Sequence, residues 1–252
     1  GGKASCWGSN VFLGLGRVDG GAVSTSPGAV EFPTPSTVVD LAPGLEHNCA
    51  LLEDQTVSCW GVNTSLQLGR PDAGEASPVP RVVAGLSGVT YLASGREFSC
   101  AVVGSGAVMC WGVNDYGQLG RNVAGLASSS TPTAVPLGAI ATRVTAGIGH
   151  ACALLADRTV VCWGWNGNGE VGVAPLPGGK DVRLPTPVAG LANVLEISAG
   201  ASYGAPVDPL GHTCARIEGG TVKCWGANGD GQLGRGTLVD DLPHPDPVLV
   251  AF

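Results

Sequence analysis

The 252-residue chain is predicted to be an all-β repeat protein, and three observations support this. A Cys-Trp-Gly triplet occurs five times, beginning at residues 6, 59, 110, 162 and 224, so successive triplets lie 53, 51, 52 and 62 residues apart. A second cysteine lies ten residues before each of the last four triplets. Glycine and proline interrupt every candidate helix. Self-similarity at this period is typical of an array of one supersecondary unit.

The segment between two paired cysteines is predicted to be a β-hairpin. Short apolar or β-branched runs flank a polar or glycine turn at residues 53–55, 104–106, 156–158 and 218–220. Because the turn lies midway between the two cysteines, they are expected to face each other across the hairpin. Side chains alternate along a strand, so the tryptophan after each cysteine points to the other face and is expected to pack against the next unit.

The remainder of each unit is also extended. A glycine-rich stretch such as residues 114–120 is followed by a variable loop, a proline-containing segment and an apolar strand ending in Ala-Gly or Ser-Gly. Four short strands per fifty residues predict a β-propeller of about five four-stranded units, forming a single repeat domain over residues 1–252. The alternative of an irregular or disordered chain is disfavoured, because 44% hydrophobic and only 13% charged residues can bury a core.

The repeat itself resembles that of a known family. Its fullest form runs from Gly211-His212-Thr213-Cys214-Ala215 to Gly231-Gln232-Leu233-Gly234, with Cys224-Trp225-Gly226 between them. This pattern resembles the repeat of the regulator of chromosome condensation family, in its bacterial, cysteine-bearing form. The resemblance implies propeller blades of about fifty residues, commonly seven in number. Five Cys-Trp-Gly units depart from that number.

Both ends of the chain interrupt the repeat. Residues 1–8 align with residues 219–226, so the strand that would carry a partner for Cys6 is absent, and residues 247–252 stop before the next Ala-Gly strand. The closing blade is therefore expected to be shared by the two termini or to be incomplete, in a five-repeat domain from a longer or processed protein. An unpaired edge would permit self-association.

The cysteines indicate the compartment. Eight of the nine are predicted to form four disulfides, leaving Cys6 unpaired: Cys49–Cys59, Cys100–Cys110, Cys152–Cys162 and Cys214–Cys224. A zinc site requires closer or clustered Cys and His ligands, so no metal site is predicted. Paired cysteines favour an oxidising environment, and the protein is expected to be secreted, periplasmic or at the cell surface.

Charge and motifs restrict the function. A net charge of −7 argues against a nucleic-acid partner, although the founding member of the resembled family acts on chromatin and exchanges nucleotide on a small GTPase. No apolar run is long enough to span a membrane. No phosphate-binding loop, zinc-protease motif or nucleophile elbow is present, so no cofactor is predicted and an enzymatic role is disfavoured.

Several polar residues repeat at fixed positions and are interpreted as structural. His47, His150 and His212 share one position, which Phe98 fills in the third unit; a position that accepts Phe is expected to serve packing. Repeated asparagines precede each glycine-rich turn and are expected to close it. Asn63-Thr64-Ser65 matches the glycosylation pattern. Residues 166–170 resemble a calcium loop but lack its carboxylates.

The clearest break in the repeat is an insertion of about nine residues between Gly200 and His212. Unit-specific insertions often lie on a binding face, so Tyr203, Asp208 and His212 are the candidate binding residues. The sequence thus predicts a secreted or cell-surface, non-enzymatic module that recognises a protein, or a surface polymer, through variable rim loops. Two alternatives are a structural subunit of an extracellular assembly completed by strand exchange, and a hydrolase or lyase with its site near residues 201–211.

Overall fold

The computed structural model describes residues 2–18, 21–32, 35–71, 74–121, 127–175, 181–202, 210–236 and 240–251. This part of the chain contains eighteen β-strands and no helix, which confirms the predicted all-β class. Accordingly, it has no helix long and apolar enough to cross a membrane.

The strands form one two-stranded and four four-stranded antiparallel sheets. The two-stranded sheet contains β1 (Ser5–Ser9) and β2 (Val23–Ala29). The next contains β3 (Val38–Pro43), β4 (His47–Leu52), β5 (Val57–Val62) and β6 (Ala76–Val82). The third contains β7 (Val89–Ser94), β8 (Phe98–Val103), β9 (Val108–Gly112) and β10 (Ser129–Ala134). The fourth contains β11 (Ala141–Ala146), β12 (His150–Leu155), β13 (Val160–Trp165) and β14 (Asp181–Pro187). The fifth contains β15 (Val194–Ser202), β16 (Leu210–Ile217), β17 (Val222–Asn228) and β18 (Asp240–Leu249).

The sheets follow one another around a common axis. The first strands of successive four-stranded sheets contact each other in the order β3, β7, β11 and β15, so they are the innermost strands. The β1–β2 pair packs against the sheet formed by β3–β6. There, Ala4 and Val30 join Ala50, Leu52 and Trp60 in one apolar cluster. Among the described residues, β1 pairs with β2 and β18 pairs with β17, and no strand pairing joins the two terminal sheets.

The predicted hairpins are confirmed in register. In all four, the two cysteines are directly opposed across the second and third strands, for example Cys49 opposite Cys59. Gln55 and Arg158 adopt the left-handed backbone that the turn needs, with φ of 63° and 65°. The Asp54 carboxylate accepts hydrogen bonds from the backbone and hydroxyl of Thr56 at 3.0 and 2.6 Å, which closes the turn.

All four predicted cysteine pairs lie at bonding distance, with Cα atoms 4.0–4.1 Å apart. Among the described residues Cys6 alone is a free thiol, and it is partly buried. Burial raises the pKa of the Cys6 thiol, and the nearby Arg17 guanidinium partly opposes this shift. Four cysteine pairs of this kind are compatible with an oxidising compartment.

The tryptophans join neighbouring sheets, but in the direction opposite to that expected. The tryptophan of each of the last four Cys-Trp-Gly triplets donates its indole N–H to a carbonyl of the preceding unit rather than the next one: Trp60 to Gly14, Trp111 to Gln67, Trp163 to Gln118 and Trp225 to Glu170, at 2.8–3.0 Å. The reason is that the glycine-rich turn of one unit lies under the Cys-Trp-Gly strand of the following unit. Trp7 has no preceding unit in the described structure and is 62% exposed.

The repeated asparagines close the glycine-rich turns, as expected. The Asn63 side chain accepts a hydrogen bond from the backbone N–H of Leu68 at 2.9 Å and donates one to the Gly74 carbonyl at 2.8 Å. Asn63 is only 4% exposed, so its amide nitrogen is not available as a glycosylation acceptor in the folded chain. The Asn166 side chain bonds in the same way to Val171 and Val173, so it does not offer a free oxygen to calcium.

Candidate binding face

The divergent segments of the repeat lie on one face. Neighbouring strands in each sheet run in opposite directions, so the turn from the first to the second strand and the loop from the third to the fourth strand emerge at the same edge. The turns are residues 44–46, 95–97 and 147–149, and the loops follow β1, β5, β9, β13 and β17. We call this edge the variable face.

The insertion extends the corresponding turn of the last sheet. In the other four-stranded sheets the first strand ends one residue before the glycine that aligns with Gly200. In the last sheet β15 and β16 continue to pair beyond Gly200, with Ala201 opposite Gly211 and Ser202 opposite Leu210. The base of the insertion therefore stands on the variable face. Of the three candidate binding residues, His212 lies at this base, whereas Tyr203 and Asp208 lie outside the described residues.

A cavity of about 300 Å³ opens where the innermost turns meet. Its apolar lining includes Leu45, Ala146, Ile148 and Ala199, and Arg96 is the charged side chain that borders it. The Arg96 side chain is 43% exposed and lies 3.9 Å from the Glu97 carboxylate, so it is only loosely paired. The cavity presents an apolar surface with a cation at its edge.

Glycine at the end of each innermost strand makes room for a ring from the same sheet. A Cβ atom at Gly44, Gly147 or Gly200 would lie 2.2–2.4 Å from the imidazole of His47, His150 or His212, and one at Gly95 would lie 2.3 Å from the Phe98 ring. Any side chain at these positions would push the ring out of its site. These glycines therefore hold the innermost turns close to the axis.

The rings contact the next sheet through matched partners. His47 Nε2 lies 2.9 Å from the Ser99 hydroxyl, and His150 Nε2 lies 2.8 Å from the Thr213 hydroxyl. Phe98 takes the place of histidine in the third sheet. The residue of the next sheet at the position equivalent to Ser99 and Thr213 is Ala151, which lies in the same apolar cluster as Phe98 and has no hydroxyl. The histidine position thus links adjacent sheets, and the partner residue determines whether a polar or an apolar ring fits.

Burial makes these histidines poor general bases. It lowers the pKa of His47 to about 4, and it lowers that of His150 to about 3 with a further contribution from His212. Burial also lowers the pKa of His212, whose Nδ1 is enclosed and has no hydrogen-bond partner in the described structure. The described residues contain no group of three or more His, Cys, Asp or Glu side chains that could hold a metal ion.

Replacing the polar pair His150–Thr213 by the apolar pair Phe–Ala tests whether each ring is matched to its partner in the next sheet. His150→Phe alone is expected to lower the free energy of unfolding by about 1–2 kcal/mol, because it removes one buried hydrogen bond. The double variant with Thr213→Ala, which reproduces the Phe98–Ala151 pair, should lose less than the sum of the two single losses, because both single substitutions remove the same hydrogen bond. The Thr213→Ala loss also includes the hydrogen bond from the Thr213 hydroxyl to the Glu170 carbonyl at 3.2 Å. Urea unfolding of the wild type, both single variants and the double variant forms the required cycle. Strictly additive losses would contradict the matching.

Sequence reasoning missed the residues that line the axial cavity. Leu45, Arg96 and Ile148 occupy the same position of three units, directly after the glycine, and they differ in size and charge. That divergence was a usable signal. The sequence does not show that the three turns meet at one axis, and only that meeting gives the divergence a meaning for binding.

Comparison with known sequences identifies the repeat. Two sequence profiles, both described as "Regulator of chromosome condensation (RCC1) repeat", match residues 89–118 and 141–170, and residues 56–102 and 105–154. Residues 56–170 carry RCC1 repeats. The chain is 30% identical over 217 residues to the ultraviolet-B receptor UVR8 of Arabidopsis thaliana, covering 82% of this chain and 46% of the receptor. It is 27% identical over 253 residues to human protein RCC2, covering 90% and 46% of the two chains.

Solved structures agree with the fold. The chain superposes on yeast RCC1 (Prp20), solved bound to Kap60, with a TM-score of 0.80 and 27% identity, over 98% of this chain and 57% of that one. Human WBSCR16 shares the fold at a TM-score of 0.78 and 21% identity, over 99% and 61%. The likeness to yeast RCC1 confirms the predicted propeller architecture. The chain spans less than half the length of UVR8 and of RCC2.

Proposed function

We propose that this RCC1-repeat chain is a non-enzymatic module that binds a protein partner on its variable face, and that it works in a secreted or cell-surface setting. One observation carries the proposal: the divergent turns, the base of the insertion and the axial cavity all lie at the same edge of the sheets. A rigid scaffold that presents variable loops around a concave centre suits protein recognition.

Related propellers support a protein partner. Yeast RCC1 (Prp20) has been crystallised bound to Kap60, and its structure has been described together with its binding to Gsp1p and histones. The oxidising setting rests on the four cysteine pairs at bonding distance, in which every cysteine except Cys214 is buried. The net charge of −7 favours a partner other than nucleic acid.

The test uses substitutions on opposite edges of the same sheets. Leu45 is 44% exposed at the axial cavity, whereas Ile140 is 60% exposed in the loop before β11, at the other edge. A partner is first captured from the extracellular fraction of the source organism and identified. Leu45→Asp combined with Arg96→Glu is then expected to weaken its binding at least tenfold, the effect of losing an interface anchor.

Ile140→Asp is the matched control, because it also places a carboxylate on an exposed aliphatic position. It should leave the affinity within about twofold, as expected outside an interface. Equal losses in both variants, or loss only in Ile140→Asp, would contradict binding on the variable face. Circular dichroism of each variant establishes that the sheets remain folded.

Self-association through the first sheet is a second candidate, favoured by the exposed edge of β1. Trp7 is 62% exposed there and lines, with Cys6, Phe12 and Leu45, a cavity of about 500 Å³. Unpaired strand edges bordered by aromatic residues invite pairing with another chain. Light scattering at increasing protein concentration separates this candidate from the first, since a monomer at every concentration would eliminate it.

A further inference from the structure

A buried carboxylate lies directly beneath the base of the insertion. Glu170 occupies the position that Gln67, Gln118 and Gln232 occupy in other units. Its side chain is fully buried. One carboxylate oxygen accepts the backbone N–H of Asn168 at 2.8 Å, and the other accepts the Asn168 side-chain amide at 2.8 Å and the Gly211 backbone N–H at 3.4 Å. In the glutamine units, the side-chain oxygen makes only the first of these bonds, as Gln118 does with Tyr116.

Gly211 couples this carboxylate to the hairpin. It pairs with Ala201 in the extended part of β15 and β16, so it belongs to the base of the insertion. A Cβ atom at Gly211 would lie 3.0 Å from the Glu170 Cγ and 3.0 Å from the His150 Cε1, so the backbone of the hairpin rests on both side chains. The base of the hairpin is therefore part of the cover that separates Glu170 from solvent.

We propose that the base of the β15–β16 hairpin is a proton-linked element of the variable face, which stays closed over Glu170 when that side chain is neutral and loosens when it is ionised. Its relevance to recognition rests on the proposed binding function, but the linkage itself does not. The hairpin is the part of the variable face that the insertion enlarges, so its position sets the shape presented to a partner.

The direction of the linkage follows from the environment of the carboxylate. Burial raises the pKa of Glu170 to about 7, and the N–H donors of Asn168 and Gly211 only partly oppose this. A hydrated glutamate titrates near 4.5. The closed state therefore binds more protons than a state that admits water to Glu170. As a result, the stability of the closed state falls as the pH rises from near 4.5 through 7.

The neighbouring titratable groups do not reverse this direction. His150 on β12 and His212 on β16 face the same space, and the pKa of each is lowered, so both are neutral near pH 7. On β18, the His244 backbone N–H bonds to the Asn168 carbonyl, while the His244 side chain, Asp240 and Arg235 bond to one another. Of the three groups Glu170, His150 and His212, Glu170 is thus the one whose charge changes near pH 7.

Hydrogen–deuterium exchange across pH tests the proposal without any partner. In the wild type, protection of the segment 210–213, corrected for the intrinsic pH dependence of exchange, is expected to fall about tenfold between pH 6 and pH 8. Glu170→Gln, which restores the residue found in three other units, should abolish this dependence. Residues 96–99 provide the internal control, because they align with 210–213 and the equivalent position beneath them is the neutral Gln67.

Protection of 210–213 that is constant with pH in the wild type, or that rises with pH, would overturn the proposal. So would a pH dependence that persists in Glu170→Gln. If that variant did not fold, the comparison of residues 210–213 with residues 96–99 within the wild type would still decide the matter. Failure here would leave the binding face intact, since that is tested separately by the Leu45 and Arg96 substitutions.

Discussion

Trp163→Ala is expected to lower the free energy of unfolding by about 3–5 kcal/mol, the usual cost of removing a large buried aromatic side chain. Trp163 is fully buried between the third and fourth sheets, and its indole N–H bonds to the Gln118 carbonyl at 2.8 Å. The substitution would open a cavity between the sheets and leave that carbonyl without its donor. Urea unfolding followed by circular dichroism measures the loss.

Trp7→Ala is the matched control for this prediction. Trp7 occupies the same position of a Cys-Trp-Gly triplet but is 62% exposed. Its replacement should change the free energy of unfolding by no more than about 0.5 kcal/mol, as is usual for surface positions. Similar losses from the two substitutions would show that packing of tryptophan on the preceding unit is not what holds the sheets together.

Replacing Cys152 and Cys162 together by alanine is expected to cost about 2–3 kcal/mol. The bond closes a loop with a sequence separation of 10, and in the chain-entropy model this removes freedom from the unfolded chain. Both residues are fully buried, and lost packing adds to the effect. Cys6→Ala is the control, since that thiol is free, and it should shift the urea midpoint little.

The same cysteines provide a test of compartment. Native protein isolated without reductant and treated with an alkylating reagent should carry one modified thiol, that of Cys6. Nine modified thiols would contradict the proposed oxidising setting. A disulfide-linked dimer through Cys6 would instead support the self-association candidate.

The sequence predicts those parts of the fold that depend on local residue patterns. A hairpin depends on residues within about ten positions of one another, so alternation and turn chemistry were enough to pair Cys49 with Cys59 and to predict the turn at 53–55. The repeat motif resembled that of a known family, and alignment of the units indicated the interruption of the repeat before Cys6. Within a single unit, each residue's neighbours are also its neighbours in sequence.

Contacts between units required the tertiary structure. Trp111 bonds to Gln67, 44 positions earlier, because the sheets stack in a particular order and direction that no single unit encodes. The convergence of Leu45, Arg96 and Ile148 at one cavity has the same origin, since each comes from a different sheet.

Glu170 shows the limit most clearly. The sequence shows that glutamate replaces glutamine at this position, and it shows the insertion before His212. Glu170 and Gly211, the residue through which they meet, are 41 positions apart in the chain, so the sequence does not show the contact. The sequence alone determined a cysteine-paired array of RCC1-type hairpins. Only the packing of the fourth sheet against the fifth decided that a buried carboxylate supports the inserted hairpin, because burial and its effect on the pKa arise from groups that the chain brings together on folding.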